Sequence, residues 1–506
     1  MNWLRWWGGF SSWAIIGGLS LPILMIFYDL FHDFFTVDHL MPMGVWRLLL
    51  NSLALSLGVA LLSSFFGLLL GLLWFKSNIA LGWLMGRIVW VSFLIPPYIL
   101  AFSWLLLFRQ EGGLEVLFSG FWGTLFILFW VYLPISLLLI ERFLSQIDPD
   151  LESSALLITN WWGVLYRVTI PLLLPALKVS FWLIFMLTFG EITVANVLRY
   201  PVFAMESFTQ FSAFYDTQMA TLMALPIMMV ALLLQWQIRK GLTVRWLRWR
   251  AVPSLSIKFG LLTRWLLGGF SWMVVLLSLF PLFNLVSLID VGSFFEALDR
   301  GTWALFLSFR DAILGSTLVV LWGVILAYLF YKELVWGANF LKGVLLLGFI
   351  LPSSIMGMGL ILFWNQPWSM MIYGGFWIII LGYLGKYLFL GTQIIEMGLS
   401  QSPSSLEEAA ILSGASWWQT LCRILIPLHW RTLFLAWLVG FLFMMRESSM
   451  TMLVHPAGEE TLPVYILTQM ANGDPKVTAS LSLLMVLGVI VPFVVYLFYE
   501  RRGRSD

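Results

Sequence analysis

The sequence predicts an all-α, polytopic membrane protein with about twelve transmembrane helices, arranged as two homologous six-helix halves about a pseudo-twofold axis. Three observations carry that prediction. The chain is 61% hydrophobic and 11% charged, whereas soluble domains are about half apolar and a quarter charged. Apolar runs of the ~20 residues needed to cross a bilayer recur along its length. Segments of the first half also return in the second at a shift of 255 or 256 residues.

The apolar runs begin near Trp13, Leu48, Trp83, Phe121, Leu172 and Met219, then near Trp265, Asp311, Leu341, Met371, Leu428 and Val477. The first follows Arg5 and has the look of a secretion signal. It lacks a small-residue cleavage site before Asp29 to His39, so it counts as the first membrane helix. Proline and glycine within the runs, at Pro96-Pro97 and Pro352, are expected as kinks whose freed backbone groups are satisfied by neighbouring helices or a cavity.

The repeat is dense enough to define domains. Gly67 to Lys76 aligns with Gly323 to Lys332, Pro96 with Pro352, Ile140-Glu141 with Ile395-Glu396, and Glu191 with Glu447. Two parallel copies imply a fused pseudo-dimer: residues 1–238 and 265–506, joined by a connector over 239–264. That connector carries Arg239, Lys240, Arg245, Arg248, Arg250, Lys258 and Arg264 without an acidic residue. It is therefore expected in the cytosol, since flanking cations stay inside. Alternation from there puts Lys76, Arg87, Arg142, Arg167, Lys332, Lys342, Arg423 and Arg431 inside as well. Glu206, Asp216, Asp290, Glu296, Asp299, Glu459 and Glu460 fall outside. Both termini are expected in the cytosol.

One cytosolic connection differs from the rest. Residues 402–427 are polar and alanine-rich between two apolar runs. Serine at 402 caps a helix, with Pro403 tolerated in its first turn. Glu407 and Glu408 lie near the start of that helix, where its dipole favours negative charge. Gly414 permits the left-handed turn that ends it, and Ser416 caps a second helix running into Pro427. Ala409 and Ala410 are small enough for close approach by another protein. A degenerate copy spans 146–171, with Glu152, Ala155 and Pro171 retained. It has Ser153 and Ser154 in place of Glu408 and Ala409, and Asn160 as the residue tolerating a left-handed turn.

Glu408-Ala409-Ala410, then Gly414, then Ile426-Pro427, resembles the cytoplasmic coupling loop of binding-protein-dependent ABC importer permeases. The resemblance implies the MetI-like permease fold in a bacterial inner membrane. It also implies two copies of a cytosolic ABC ATPase, one docking on each loop, and a periplasmic or lipoprotein solute-binding protein. ATP would be consumed by the partner, with no cofactor bound by this chain. Arg446-Glu447 with Glu460-Thr-Leu-Pro-Val-Tyr, and Gly190-Glu191 with Glu206 to Asp216, is similar to the ferric-iron permeases. Thiamine, phosphonate and polyamine permeases share the architecture.

Ionisable groups at membrane depth are functional candidates by default, because the bilayer makes them costly. Lys386 lies within the tenth run, Glu191 closes the fifth, and Arg446 and Glu447 close the eleventh. They read equally as a translocation pathway or gate, or as structural ion pairs. His32, His39, His429 and His455 have no metal-ligand spacing, so no metal site is expected. The lone Cys422 excludes a disulfide framework. The net charge of +2 argues against a nucleic-acid partner. No phosphate-cradling loop or hydrolase motif is present, so the energy for transport must be borrowed. An ion-coupled secondary carrier is the competing reading; it would depend on buried ionisable groups, of which Lys386 is the strongest.

Overall fold

The computed structural model describes residues 2–34, 43–110, 118–241, 256–401 and 404–502. Every regular element among them is a helix, and the one extended pairing is a parallel bridge between Ser77 and Ile257. Eight helices are long and apolar enough to cross a membrane. Three further pairs do so as bent units, and Thr217–Leu233 adds a shorter apolar segment. In chain order these make twelve spans, six on each side of the connector. Most of the connector, including Arg245, Arg248 and Arg250, lies outside the described residues, as do Ser402 and Pro403 at the expected helix start.

Prolines decide where the spans break. The residue before a proline is pushed out of helical geometry, and Ile95 and Leu351 are both extended, at ψ 134 and 136. The third span therefore bends by 93° between Gly82–Leu94 and Pro97–Phe108, and the ninth by 107° between Ala338–Ile350 and Ser353–Trp364. These are interruptions rather than the kinks expected from sequence, because each proline follows a residue that has already left the helix.

Two other boundaries move. The eighth span runs from Val291 to Tyr331, not from Asp311, and Asp290 with Ser293 forms a reciprocal capping box at its start. At 1.5 Å per residue it is far longer than the bilayer core. The charged stretch from Glu296 to Asp311, read as a loop from its polarity, is helix. The tenth span begins at Trp377, since Gly374 and Gly375 separate it from the short helix Met370–Tyr373.

The second and fourth spans cross closely, as do the eighth and tenth. Gly67 faces Ser136, and Gly323 lies where an added Cβ would come within 3.2 Å of Ile395 and 3.4 Å of the Gly391 backbone. Glycine allows the close backbone approach that holds membrane helices together without a hydrophobic driving force. Around this core, Leu50, Phe65, Leu262, Trp265, Leu276 and Phe283 are exposed, an apolar surface suited to lipid rather than water.

The two halves exchange their first helices. Trp13 stacks on Trp336 at 4.7 Å and donates to its carbonyl, tying the first span to the second half. Reciprocally, Ser103 donates to the Pro281 carbonyl at 2.8 Å and Asn284 donates to the Ser103 carbonyl at 2.6 Å, tying the seventh span to the first half. Gly359 is the tightest point: a Cβ there would lie 2.5 Å from the Pro22 carbonyl oxygen and 3.0 Å from Ile26. Gly359→Val is therefore expected to cost about 1–3 kcal/mol by overpacking. It should lower the thermal unfolding midpoint of the purified protein, and an unchanged midpoint would contradict the close crossing.

Candidate functional site

The 402–427 region folds as two helices, Ser404–Leu412 and a second beginning at Trp417. Gly414 has φ +83. Its N–H donates to the Ile411 carbonyl and that of Ala415 to the Ala410 carbonyl, the paired closure of a helix ending in a left-handed glycine. Ser416 caps the second helix reciprocally with Gln419. The first copy forms the same elbow by other means. Asp148 caps Pro149–Leu156, and Asn160 caps the next helix by accepting from the Gly163 N–H. Asn160 is extended, with φ −82 and ψ 174, so it does not take the left-handed turn expected of it. With one residue fewer than the second copy, this elbow turns through Leu157 to Thr159 without a left-handed residue.

After each elbow the helix widens for one turn, Leu165–Thr169 in the first half and Leu421–Leu425 in the second, with the Ile170 and Ile426 N–H groups reaching back five residues. Proline lacks an N–H and collides with the carbonyl four residues earlier. A π-turn just ahead of Pro171 and Pro427 relieves that collision. The two prolines thus lie inside the helical run and are exposed. The first elbow continues as one helical span to Phe189, whereas the second bends by 75° at His429.

A lysine anchors each elbow. Lys76, at the end of the second span, pairs with Glu152, and both side chains are fully buried; Thr169 also donates to Glu152 at 2.8 Å. Lys332, at the end of the eighth span, pairs with Glu407 at 2.8 Å; the lysine is 30% exposed and the glutamate 3%. Glu407 rather than Glu408 is thus the counterpart of Glu152, while Glu408 and Ala409 stay exposed. Ala410 is already buried within the elbow, so it is not free for a partner as its size suggested; Ala155 is half-buried. What the elbows do present is apolar: Leu157, Ile158, Trp162 and Tyr166 in the first, Ile411, Leu412 and Trp418 in the second, all more than half exposed. The connector is stitched to the same end of the second span through Ile257 with Lys76 and Asn78, and through Phe259 with the Asn78 side chain.

Glu191, Lys386, Arg446 and Glu447 all line one cavity of about 120 Å³ between the halves, together with both helix breaks. Each glutamate follows the end of its span and binds the next turn of backbone. Glu191 accepts from the Thr193 N–H at 2.9 Å and from the Thr193 hydroxyl. Glu447 accepts from the Met450 N–H at 3.1 Å, the Tyr387 hydroxyl at 2.6 Å and the Ser353 hydroxyl at 2.9 Å. Lys386 is buried near the middle of its helix and donates to the Leu351 carbonyl at 2.7 Å. That carbonyl is free because Pro352 ends the helix. Arg446 stacks its guanidinium over Phe93 at 4.8 Å.

Sequence reasoning did not select Lys76, Lys332, Phe93, Phe349, Tyr132 or Tyr387. The signal was available. Phe93 and Phe349 are 256 apart, Tyr132 and Tyr387 255 apart, and the two lysines had been aligned without being given partners.

Removing one member of a fully buried ion pair leaves its partner uncompensated, so Lys76→Met should destabilise by about 3–5 kcal/mol. Lys332→Met should cost less than that, since that lysine reaches solvent, although it too leaves a buried carboxylate at Glu407. Thermal unfolding of the purified variants checks the order. Equal losses would contradict the burial difference, and Lys76→Met combined with Glu152→Leu should recover most of the first loss.

Comparison with known proteins finds the family model for the binding-protein-dependent transport system inner membrane component twice, over residues 63–234 and 319–504. The ferric transport system permease protein FbpB of Actinobacillus pleuropneumoniae is 24% identical, aligned over 95% of this chain and 75% of its own length. A putative ferric transport system permease protein FbpB of Haemophilus influenzae is 25% identical over 88% of this chain and 77% of its own. A putative 2-aminoethylphosphonate transport system permease protein PhnV of Salmonella typhimurium is 26% identical over 39% of this chain and 74% of its own.

Proposed function

The chain belongs to the binding-protein-dependent transport system inner membrane components, and from that premise we propose that it is the fused permease of an ABC importer carrying ferric iron. The observation that carries the cargo is length: the ferric permeases align along most of both halves, whereas the phosphonate permease aligns with little more than a third of the chain.

Two copies of a cytosolic ATPase dock, one per elbow, on the exposed apolar residues around Leu157 and Leu412, with Glu408 and Ala409 beside the second contact. Those subunits bind and hydrolyse ATP, and this chain holds no cofactor. A periplasmic or lipoprotein binding protein delivers the solute on the opposite face, and both termini lie in the cytosol. Residues 1–238 and 265–506 act as the two permease halves. Glu191, Lys386, Arg446 and Glu447 line the route the solute takes. Support for this layout is that the anchored elbows and the end of the connector share one end of the second and eighth spans. Of the cations expected inside, Lys76 and Lys332 fall at that same end.

Radioiron uptake tests the cargo. A host lacking its own ferric permease should recover uptake only when this chain is expressed with its ATPase and binding protein. Recovery of thiamine or phosphonate uptake instead would reassign it. Docking is tested separately: Leu412→Asp and Gly414→Asp should leave the protein in the membrane but reduce the ATPase that co-purifies about tenfold, as expected for a charge placed in an apolar contact. Undiminished co-purification would remove the second elbow from the interface. Glu408→Ala, at an exposed position, should reduce co-purified ATPase without lowering the thermal unfolding midpoint, whereas Glu152→Ala removes the buried anchor of the first elbow and should lower both.

A further inference from the structure

We propose that the central cavity is an oxyanion site, in which Arg446 and Lys386 hold a carboxylate, phosphate or phosphonate group belonging to the cargo or travelling with it. The proposal rests on the permease reading above and adds the chemical class of what passes.

It follows from which valences are closed. Glu447 is committed through both oxygens, to the Met450 N–H on one and to Tyr387 and Ser353 on the other, whereas Glu191 takes Thr193 and the turn after it on Oε1 and keeps Oε2 open. The cations are not paired. Among the described residues no carboxylate lies within 4.0 Å of either. The buried Nε of Arg446 has no hydrogen-bond partner, and its guanidinium lies over the Phe93 ring face. Lys386 gives one N–H to the Leu351 carbonyl and, with three donors on an ammonium, has two left. The open donors of the two cations therefore outnumber the one open carboxylate oxygen, Oε2 of Glu191.

A half-buried guanidinium whose buried Nε has no partner is costly. Water in the cavity would meet its donors but not its charge. The space is about 120 Å³, while a single water needs about 10–15 Å³ of such volume, so a small polyatomic anion has room. Guanidinium matches the planar face of a carboxylate or the edge of a phosphate with paired N–H donors. A bare metal cation finds the reverse: two positive charges, Glu447 already occupied and one open oxygen on Glu191. Ferric iron passing here would do so complexed to an anionic group. Both cations come from the second half. The positions 255 or 256 residues earlier are Val131 and Gly190, so the site lies on one side of the pseudo-twofold axis and holds a single anion.

Two measurements on the assembled permease–ATPase complex test this. In the first, thermal unfolding is followed with inorganic phosphate or citrate against chloride at equal ionic strength. The wild type should be stabilised by one of the two. Arg446→Gln should need about tenfold more anion for the same shift, the loss of one charge-assisted contact, and Arg446→Lys should retain part of it. A shift equal in wild type and Arg446→Gln belongs to the ATPase and overturns the proposal, as does no shift at all. In the second, proteoliposomes with the binding protein are offered radioiron together with labelled phosphate or citrate. Joint entry of both labels, reduced in Arg446→Gln, supports the anion as companion. Anion entry without iron makes the anion the cargo and refutes only the ferric reading. Iron entering alone, at the wild-type rate in Arg446→Gln, overturns the oxyanion site and leaves the ferric reading standing.

Discussion

The fold depends on the lysine that closes the second span in each half and the glutamate it holds in the elbow. An elbow is a short polar excursion between two apolar helices, with little apolar area of its own to fix it. The Lys76–Glu152 pair is wholly excluded from solvent, and there two charges are tolerated only because each satisfies the other and Thr169 takes a further carboxylate oxygen. The pair therefore fixes the elbow to one span while the π-turn and proline fix it to another. A displacement of the elbow reaches both spans at once.

From that anchor a contiguous set of contacts runs to the cavity. Lys332 ends the eighth span, which lies against the tenth at Gly323 and Gly391. The tenth carries Lys386 and Tyr387, and Tyr387 bonds Glu447. The second route is shorter, along the eleventh span from the elbow to Arg446 and Glu447. Rigid helices and close glycine crossings transmit displacement because a packed interface has no slack to absorb it.

Much of this was legible in the chain, for identifiable reasons. The spans and halves could be read because apolar length and a fixed repeat shift are properties of sequence alone. The second elbow could be read because capping serines and a left-handed glycine act locally, and Gly414 and Ser416 behave as their types require. Asn160 was misread because its tolerance of a left-handed turn competes with its talent for capping, and one residue less in the loop favoured the cap. The span breaks were underestimated at Pro96 and Pro352, where the extended residue before each proline makes the turn. Asp311 was taken for a helix start because polarity marks the edge of the membrane, not the end of a helix that continues beyond it. The Lys–Glu pairs are contacts between residues 75 or 76 apart in sequence. Periodicity carries no information about these.

Fusion of the halves explains the cavity. The backbone scaffold around the axis is duplicated, with Phe93 and Phe349, Tyr132 and Tyr387, and Glu191 and Glu447 in equivalent places. A homodimer would have to duplicate Lys386 and Arg446 too, placing four cations around one small space with only two carboxylates to offset them. At the low effective dielectric of a protein interior, like charges a few ångströms apart repel by about 4 kcal/mol or more per pair. A single chain can keep one lysine and one arginine and leave Val131 and Gly190 opposite. The same freedom shows in the elbows, where one continuous helical span leads from the first to Phe189 and a 75° bend interrupts the second at His429.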